Sequence, residues 1–593
     1  MTLEDVKRAD VQAAFCSVLC DEWHRAGVRE AFVSPGSRST PMITALQTQG
    51  AIRVSVVLDE RSSGFAALGA ALATARPVIA VTTSGTAAVE MHPAVVEASQ
   101  AGVALIVVSA DRPPELHEVG APQTVDQQGL YGRSVRWAFE PGVAELASAG
   151  MWRSVASRAV AEALEGQGPV HLNLAFREPL FGDGSGVPVP LGRPGGRPWH
   201  AVGRLARKVT PDSAIVDLIR SQSGRRGLIV AGEGAAASEE DREAVLAIAQ
   251  TMGWPVLADP RCGLRVEHPF VVAGADLMLR SEFVQNLEAD FVLRFGAPWS
   301  SKVLNTWLGG LGGDVPQVLV DPRGRWVDPE RTAWEVSTAN AVDLAGALSA
   351  STATDVVGAA GDWLSLWKRA DEITQATLDD LLALGTALEM SEPAVARAVT
   401  ESLSPGSQLF VSSSMPIRDV EWFGSPRCEG RVMSNRGANG IDGVLSSALG
   451  AAIGAGQPTV ALVGDLAFLY DAGALLWAAE RPARLSVVVV DNDGGGIFSF
   501  LAYSDVLEPE RFERYWATPH GVDLVALCSA YGVEATRIDT RMDLEGFLEA
   551  ADLPEPCKAV RVGIVTSDRR RNVSDHDRLV AAVDAALTAG MVT

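Results

Sequence analysis

The chain has 593 residues, of which 47% are hydrophobic and 21% are charged, and its formal net charge is −23. This length exceeds what one hydrophobic core supports and predicts about three or four domains. The acidic excess argues against nucleic acid and anionic membrane surfaces as partners. No apolar run reaches the ~18 residues that cross a bilayer, and the first residues lack a signal-peptide pattern. We therefore expect a cytoplasmic protein with no membrane insertion.

The first predicted domain covers residues 1–185, where helical and strand patterns alternate as in a doubly wound parallel sheet. Its predicted strands are 30–34, 53–58, 77–82 and 103–109, and its predicted helices span 8–26 and begin near Thr40, Glu60 and Thr86. The stretch Phe181–Pro198 contains ten Gly or Pro among 18 residues, too many for the interior of a helix or strand. We interpret it as a linker.

Two further α/β domains follow, over residues 200–350 and 385–593, with a weaker boundary at Ser349–Gly361. The predicted strands are 227–231, 291–295 and 317–320 in the central domain and 408–412, 458–464, 485–491 and 558–565 in the last, and a central helix is predicted over 239–252. The fold class that these patterns indicate is α/β, with three doubly wound parallel-sheet domains.

Two predicted strands of the third domain are each followed by a residue whose side chain carries a hard oxygen atom. Asp465 follows Pro458–Gly464, and Asn492 lies 27 positions later, after Leu485–Asp491 and just before Gly494. Each half alone is typical of a helix N-cap or a surface turn. Together they predict Mg²⁺ held against a diphosphate, because Mg²⁺ prefers one or two such ligands plus phosphate oxygens and glycines let the backbone approach phosphates.

This pairing resembles the spaced signature of thiamine-diphosphate enzymes, although Leu466 stands where those enzymes usually have a glycine. The cofactor requires a carboxylate that protonates its aminopyrimidine ring. Glu60 follows a predicted strand at a helix start, the place where such enzymes carry this glutamate. The alternative is a first-turn acid that complements the helix dipole.

Four segments narrow the resemblance: Ser34–Pro41, Asp111–Glu115, Asn435–Asp442 and Gly494–Ser499. As an ordered set they resemble the 2-succinyl-5-enolpyruvyl-6-hydroxy-3-cyclohexene-1-carboxylate (SEPHCHC) synthases, transferases of menaquinone biosynthesis. The resemblance implies decarboxylation of 2-oxoglutarate and 1,4-addition of the succinyl carbanion equivalent to isochorismate. It also implies thiamine diphosphate with Mg²⁺ or Mn²⁺, and a homodimer or homotetramer with active sites at the subunit interface.

The resemblance assigns roles residue by residue. The implied metal ligands are Asp465, Asn492 and the Gly494 carbonyl, and Ile441 would hold the cofactor bent, with Glu60, Gly464, Ile497 and Phe498 as further cofactor contacts. The implied substrate residues are Ser414, Arg418 and Arg436 on the succinyl side and Ser37, Arg38, Arg112, Gln123 and Lys302 on the acceptor side, with Phe498 and Leu501 as pocket walls. Bidentate guanidinium groups suit two dianionic substrates.

Besides Leu466, three residues depart from the family pattern: Asp491 and Asp493 replace asparagines near the implied metal, and Pro122 replaces an asparagine on the implied acceptor side. Two other functions stay open. A different thiamine-diphosphate 2-oxoacid decarboxylase or carboligase would share Glu60 and the metal residues but lack the Ser34–Pro41 segment. A third hypothesis is a regulatory protein that binds the cofactor without catalysis, and the presence of Glu60 argues against it.

Overall fold

The computed structural model describes residues 3–201, 209–349, 359–478, 482–551 and 560–591. Over these residues the chain forms three six-stranded sheets, and every strand pairing within them is parallel. Helices connect most of the strands, as is usual for the crossovers of parallel sheets. The predicted fold class, three doubly wound parallel-sheet α/β domains, is confirmed.

The first sheet has the strand order β2-β1-β3-β4-β6-β5. Its strands are β1 (Glu30–Val33), β2 (Arg53–Val56), β3 (Val78–Thr82), β4 (Leu105–Asp111), β5 (Trp137–Phe139) and β6 (Val170–Ala175). Its helices are α1 (Leu3–Arg25), α2 (Thr40–Gln49), α3 (Glu60–Thr74), α4 (Thr86–Glu90), α5 (His92–Ala101) and α6 (Trp152–Glu165). Strands β3 and β4 are buried along their whole length, because helices cover both faces of the sheet.

The central sheet has a different order, β12-β11-β10-β7-β8-β9. Its strands are β7 (Gly227–Ala231), β8 (Val256–Ala258), β9 (Val271–Val272), β10 (Phe291–Phe295), β11 (Gln317–Val320) and β12 (Glu335–Ser337). The helices of this part of the chain are α7 (Ser213–Ser221), α8 (Glu239–Met252), α9 (Ala275–Met278), α10 (Glu282–Gln285), α11 (Lys302–Gly310), α12 (Ala341–Ser349) and α13 (Ala359–Leu382).

The third sheet, β14-β13-β15-β16-β18-β17, repeats the topology of the first. Its strands are β13 (Gln408–Val411), β14 (Arg431–Met433), β15 (Thr459–Gly464), β16 (Leu485–Asp491), β17 (Glu534–Arg537) and β18 (Arg561–Thr566). Its helices are α14 (Glu392–Glu401), α15 (Met415–Phe423), α16 (Val444–Ala455), α17 (Asp465–Tyr470), α18 (Ala474–Trp477), α19 (Pro509–Phe512), α20 (Leu524–Ala530), α21 (Arg541–Glu549) and α22 (Arg569–Met591).

Helices α3 and α16 join the first and third domains within one chain. A Cβ added at Gly69 would lie 1.9 Å from the Ser447 carbonyl oxygen, and one added at Gly450 would lie 2.0 Å from that of Ala66. The two backbones therefore touch without side chains between them. The buried apolar residues on either side of this contact belong to a single continuous core.

The central domain is tied to the third by buried polar groups. Glu421, on α15, accepts hydrogen bonds from the backbone N–H groups of Ser300 and Ser301, both at 2.8 Å. Arg265 donates to the carbonyl oxygens of Glu421 at 2.8 Å and Ala273 at 3.1 Å. Because α11 begins at the next residue, Lys302, these contacts fix that helix start relative to α15.

Most predicted strands are found within two residues of their expected places. The strand predicted over 53–58 ends at Val56, and the one predicted over 103–109 spans Leu105–Asp111. Most of the boundary predicted at Ser349–Gly361 lies outside the described residues, and the domain limits 1–185, 200–350 and 385–593 stay predictions. Among the described residues, no helix is both long enough and apolar enough to cross a membrane.

Candidate cofactor and substrate site

Parallel pairing of β15 and β16 places Asp465 and Asn492 at the same sheet edge, because Gly464 lies opposite Val490. Asp465 is the first residue of α17 and is only 2% exposed. Its Oδ1 accepts a hydrogen bond from the Leu466 N–H at 2.6 Å, and its Oδ2 accepts one from the Gly494 N–H at 2.7 Å. Burial raises the pKa of the Asp465 carboxyl. A cation beside it would favour the ionised form.

The side-chain amide of Asn492 is paired at one end only. Its Nδ2 donates to Glu392 Oε1 at 3.0 Å, while its Oδ1 is buried and has no hydrogen-bond partner among the described residues. Burial, and next the charge of Asp419, raise the pKa of Glu392 to about 7. A buried amide oxygen without a partner is costly, so this atom is suited to a ligand.

The loop that follows Asn492 contains glycines, so its backbone carries no side chains at these positions. Gly494 has φ +136°, and a Cβ there would lie 2.1 Å from the Ala517 carbonyl oxygen. A Cβ at Gly496 would lie 2.7 Å from Asn492 Nδ2. The contact at Gly494 is with backbone, so no other residue type has room there. An unpaired amide oxygen, a buried carboxylate and a bare backbone loop fit a divalent cation held against a diphosphate.

His520 lies beside the predicted metal residues, and the sequence pattern gave no signal for it. Its Nε2 is 3.3 Å from Asp465 Oδ2 and 3.7 Å from Asp491 Oδ1. Asp493 Oδ1 accepts hydrogen bonds from the His520 and Gly521 N–H groups at 2.9 and 2.8 Å. Both aspartates that depart from the family pattern therefore contact the His520 loop.

A cavity of about 400 Å³ opens at this edge of the third sheet. Ten of the predicted residues line it: Ser414, Arg418, Arg436, Ile441, Gly464, Asp465, Asn492, Gly494, Ile497 and Phe498. Burial, followed by the charges of Arg261 and Arg418, lowers the pKa of Arg436 to about 10. Two half-buried guanidinium groups close to each other favour a bound anion.

A second cluster lies at the carboxyl end of the first sheet. Arg112 donates to the Ser84 hydroxyl and, at 3.2 Å, to the Pro122 carbonyl oxygen, and Gln123 Nε2 donates to the Ser84 carbonyl oxygen at 3.0 Å. Ser84, which no sequence motif indicates, therefore contacts two of the predicted residues. Burial and the nearby charge of Arg38 lower the pKa of Arg112.

Arg38 is 6% exposed and donates to the Phe176 carbonyl oxygen at 3.0 Å and to Glu178 Oε1 at 3.1 Å. Its Nε is buried and has no partner among the described residues. Ser37, next to it, is exposed. The predicted anion-binding segment thus keeps one donor unpaired.

The remaining predicted residues lie outside the cavity. Glu60 begins α3, and burial raises the pKa of its carboxyl. Lys302 and Leu501 are exposed. The residues that line the cavity, from Glu392 to Phe498, all follow α13 in the chain, so the described part of one chain brings no first-domain residue to it.

Protein-family models of thiamine pyrophosphate enzymes match three successive parts of the chain. Residues 15–130 match the N-terminal TPP binding domain, residues 196–411 the middle domain and residues 423–558 the C-terminal TPP binding domain. The crystal structure of benzoylformate decarboxylase from Polynucleobacter necessarius superposes with a TM-score of 0.68, covering 94% of this chain and 98% of that one at 19% identity. The three family matches define a thiamine-diphosphate enzyme, and the superposition shows that the chain shares the fold of that decarboxylase.

Close relatives specify the family. The SEPHCHC synthase of Myxococcus xanthus (strain DK1622) is 38% identical over 98% of this chain and 99% of the relative. That of Thermobifida fusca (strain YX) is 41% identical over 97% and 99%. The chain belongs to the SEPHCHC synthase family, and the resemblance identified from its motifs is confirmed.

Proposed function

We propose that this protein, with thiamine diphosphate and Mg²⁺, decarboxylates 2-oxoglutarate and adds the succinyl unit to isochorismate, giving SEPHCHC. The observation that carries the proposal is the cavity in which Arg418 and Arg436 face the same space as Asp465 and Asn492. A succinyl unit ends in a carboxylate, so it needs a cationic wall beside the reacting centre. The name of the relatives, SEPHCHC synthase, gives the product of the same reaction.

The third domain supplies the binding groups for the cofactor. Asp465, Asn492 and the Gly494 carbonyl would hold Mg²⁺, and Ile441 would support the cofactor's central bend. When bound, thiamine diphosphate supplies the electron sink that decarboxylation of a 2-oxo acid requires. Glu60 would exchange a proton with the pyrimidine ring nitrogen, a task that the raised pKa of its carboxyl favours.

The first-domain cluster would bind the acceptor. Isochorismate carries two carboxylates, and Arg38 and Arg112 present two guanidinium groups close enough for the charge of one to lower the pKa of the other. The buried Nε of Arg38 has no hydrogen-bond partner among the described residues, which favours an added acceptor beside this side chain. Gln123, Ser37 and Lys302 complete the proposed acceptor side.

A homo-oligomer with shared active sites follows from the same proposal. Glu60, Arg38 and Arg112 lie outside the cavity of their own chain, whereas the chemistry requires them beside Asp465 and Arg418. We infer that the first domain of one chain completes the cavity of a second chain, in a dimer or tetramer. Use of Mn²⁺ in place of Mg²⁺ and a cytoplasmic location stay predictions.

An absorbance assay with both substrates tests the proposed function. With 2-oxoglutarate, thiamine diphosphate and Mg²⁺ present, isochorismate should be consumed in step with CO₂ release. Release of CO₂ with succinic semialdehyde and no consumption of isochorismate would instead identify a simple decarboxylase. Cofactor binding without CO₂ release would support the regulatory alternative.

A further inference from the structure

Glu392 is a buried carboxylate in the cavity wall to which the proposed reaction gives no role. It is the first residue of α14, is 4% exposed, and lies 100 positions from Asn492 in the sequence. Its Oε1 accepts the hydrogen bond from Asn492 Nδ2 at 3.0 Å. Gly496 leaves room for that amide nitrogen, since a Cβ there would lie 2.7 Å from it.

The contact determines which end of the amide is paired with Glu392 and which end is left without a partner. A primary amide has a donor end and an acceptor end of nearly equal size, and rotation about χ2 exchanges them. Because Glu392 Oε1 accepts the hydrogen bond from Asn492 Nδ2, the NH₂ end of the amide is paired and the oxygen is left without a partner among the described residues. A divalent cation can bind that oxygen but not an amide nitrogen.

We propose that Glu392 is a positioning residue that turns the Asn492 amide oxygen toward the divalent cation. This inference rests on the proposed metal site at Asp465 and Asn492. Residues that form a hydrogen bond to a metal ligand orient that ligand, and they typically contribute 10–100-fold to metal affinity. The function of Glu392 is therefore to select one of two amide orientations before the metal arrives.

Metal affinity measured without turnover tests the proposal. Mn²⁺ is titrated into the full-length protein with thiamine diphosphate, and free Mn²⁺ is followed by electron paramagnetic resonance. Glu392→Met should weaken Mn²⁺ binding about 10–100-fold, whereas Glu392→Gln, which keeps an acceptor oxygen, should lose much less. Glu22→Gln serves as control, because Glu22 is a fully buried carboxylate paired with Arg153 in the first domain. It should lower the melting temperature without changing Mn²⁺ affinity.

A double-mutant cycle separates orientation from simple support of the fold. Aspartate at position 492 presents an oxygen in either orientation, so the orienting contact is no longer needed. In the Asn492→Asp background, Glu392→Met and Glu392→Gln should both strengthen binding, because each removes a negative charge beside the new carboxylate. The same loss in both backgrounds would overturn the proposal. If Glu392→Met does not fold, the opposite signs expected for Glu392→Gln in the two backgrounds decide the question.

Asp465→Ala distinguishes this inference from the proposed function. If wild-type protein binds Mn²⁺, Asp465→Ala does not, and Glu392→Met binds as wild type does, then only the positioning role is wrong. If Asp465→Ala binds Mn²⁺ as tightly as wild type, the proposed metal site itself is wrong.

Discussion

Asp471 shows how one buried carboxylate links two domains. Its Oδ1 accepts hydrogen bonds from the hydroxyls of Ser62 at 3.1 Å and Ser446 at 3.0 Å, and its Oδ2 accepts one from the Ser446 N–H at 2.6 Å. Ser62 lies on α3 and Ser446 on α16. Burial raises the pKa of Asp471 to about 6.

Asp471→Asn should change how stability depends on pH. The pKa in the folded protein lies above the unfolded value of ~3.9, so the folded state holds the proton more tightly. The protonated Asp471 carboxyl therefore contributes to the free energy of unfolding below about pH 4, and this contribution is lost as pH rises through about 6. Asparagine can satisfy the same three contacts without ionising. The melting temperature of the variant relative to wild type should rise between these pH values, and a constant difference in calorimetry would contradict this.

Arg38→Ala should weaken isochorismate binding while sparing the first half-reaction. Loss of a charge-assisted hydrogen bond costs ~1.5–3 kcal/mol, or about 10- to 150-fold in affinity. The KM for isochorismate should rise by that factor, while rapid-quench measurements of CO₂ release from 2-oxoglutarate stay near wild type. Arg158→Ala is the control, because Arg158 makes an exposed i,i+4 pair with Glu162. An unchanged KM would remove Arg38 from the acceptor side.

At the scale of elements, α3 and α16 pack closely because glycines remove the side chains between them. Gly450→Ala would place a Cβ 2.0 Å from the Ala66 carbonyl oxygen, so the helices must move apart. We expect a loss of ~1–3 kcal/mol, as for other overpacked sites. Thermal unfolding followed by calorimetry measures the change.

Gly346→Ala provides the matched control. Gly346 is an exposed residue within α12, and a Cβ there would meet nothing within 4 Å. The same substitution should therefore stabilise the protein by ~0.4–1 kcal/mol through lower entropy of the unfolded chain. Equal effects at positions 346 and 450 would show that helix propensity, rather than the contact, determines the result.

The sequence predicted the elements whose signal is local. Strands β15 and β16 are predicted correctly because each is an aliphatic run that ends at a polar residue, and parallel pairing then brings Asp465 and Asn492 to the same sheet edge. Short strands such as β9, with two residues, and β17, which is largely exposed, have no such run and were missed. Glu392, Ser84 and His520 act on residues distant in the sequence, so only the folded chain identifies them.

At the scale of the whole molecule, the first and third sheets share one topology, and each carries half of the proposed site. Glu60→Gln and Asp465→Ala chains should each be inactive alone, because each lacks one half. Mixed after subunit exchange, they should recover about a quarter of wild-type activity in a dimer. Half of the dimers would then be mixed, and each mixed dimer would have one intact site of two.

Native mass spectrometry of differently tagged chains verifies the exchange. As a control, each variant is taken alone through the same subunit-exchange treatment. It should stay inactive, which excludes recovery of activity caused by the treatment itself. Absence of activity despite demonstrated exchange would place the whole site within one chain.

The contact between α3 and α16 also affects how the protein is made. Ser447 donates a hydrogen bond to the Phe65 carbonyl oxygen from 382 residues away. A ribosome that adds ~5–20 residues per second needs roughly 20–75 s to cover that distance. During this time the apolar face of α3 has emerged but its partner helix does not exist, and exposed apolar surface promotes aggregation. The yield of native protein in a cell should therefore depend on chaperone capacity and translation speed more than on the stability of the finished molecule.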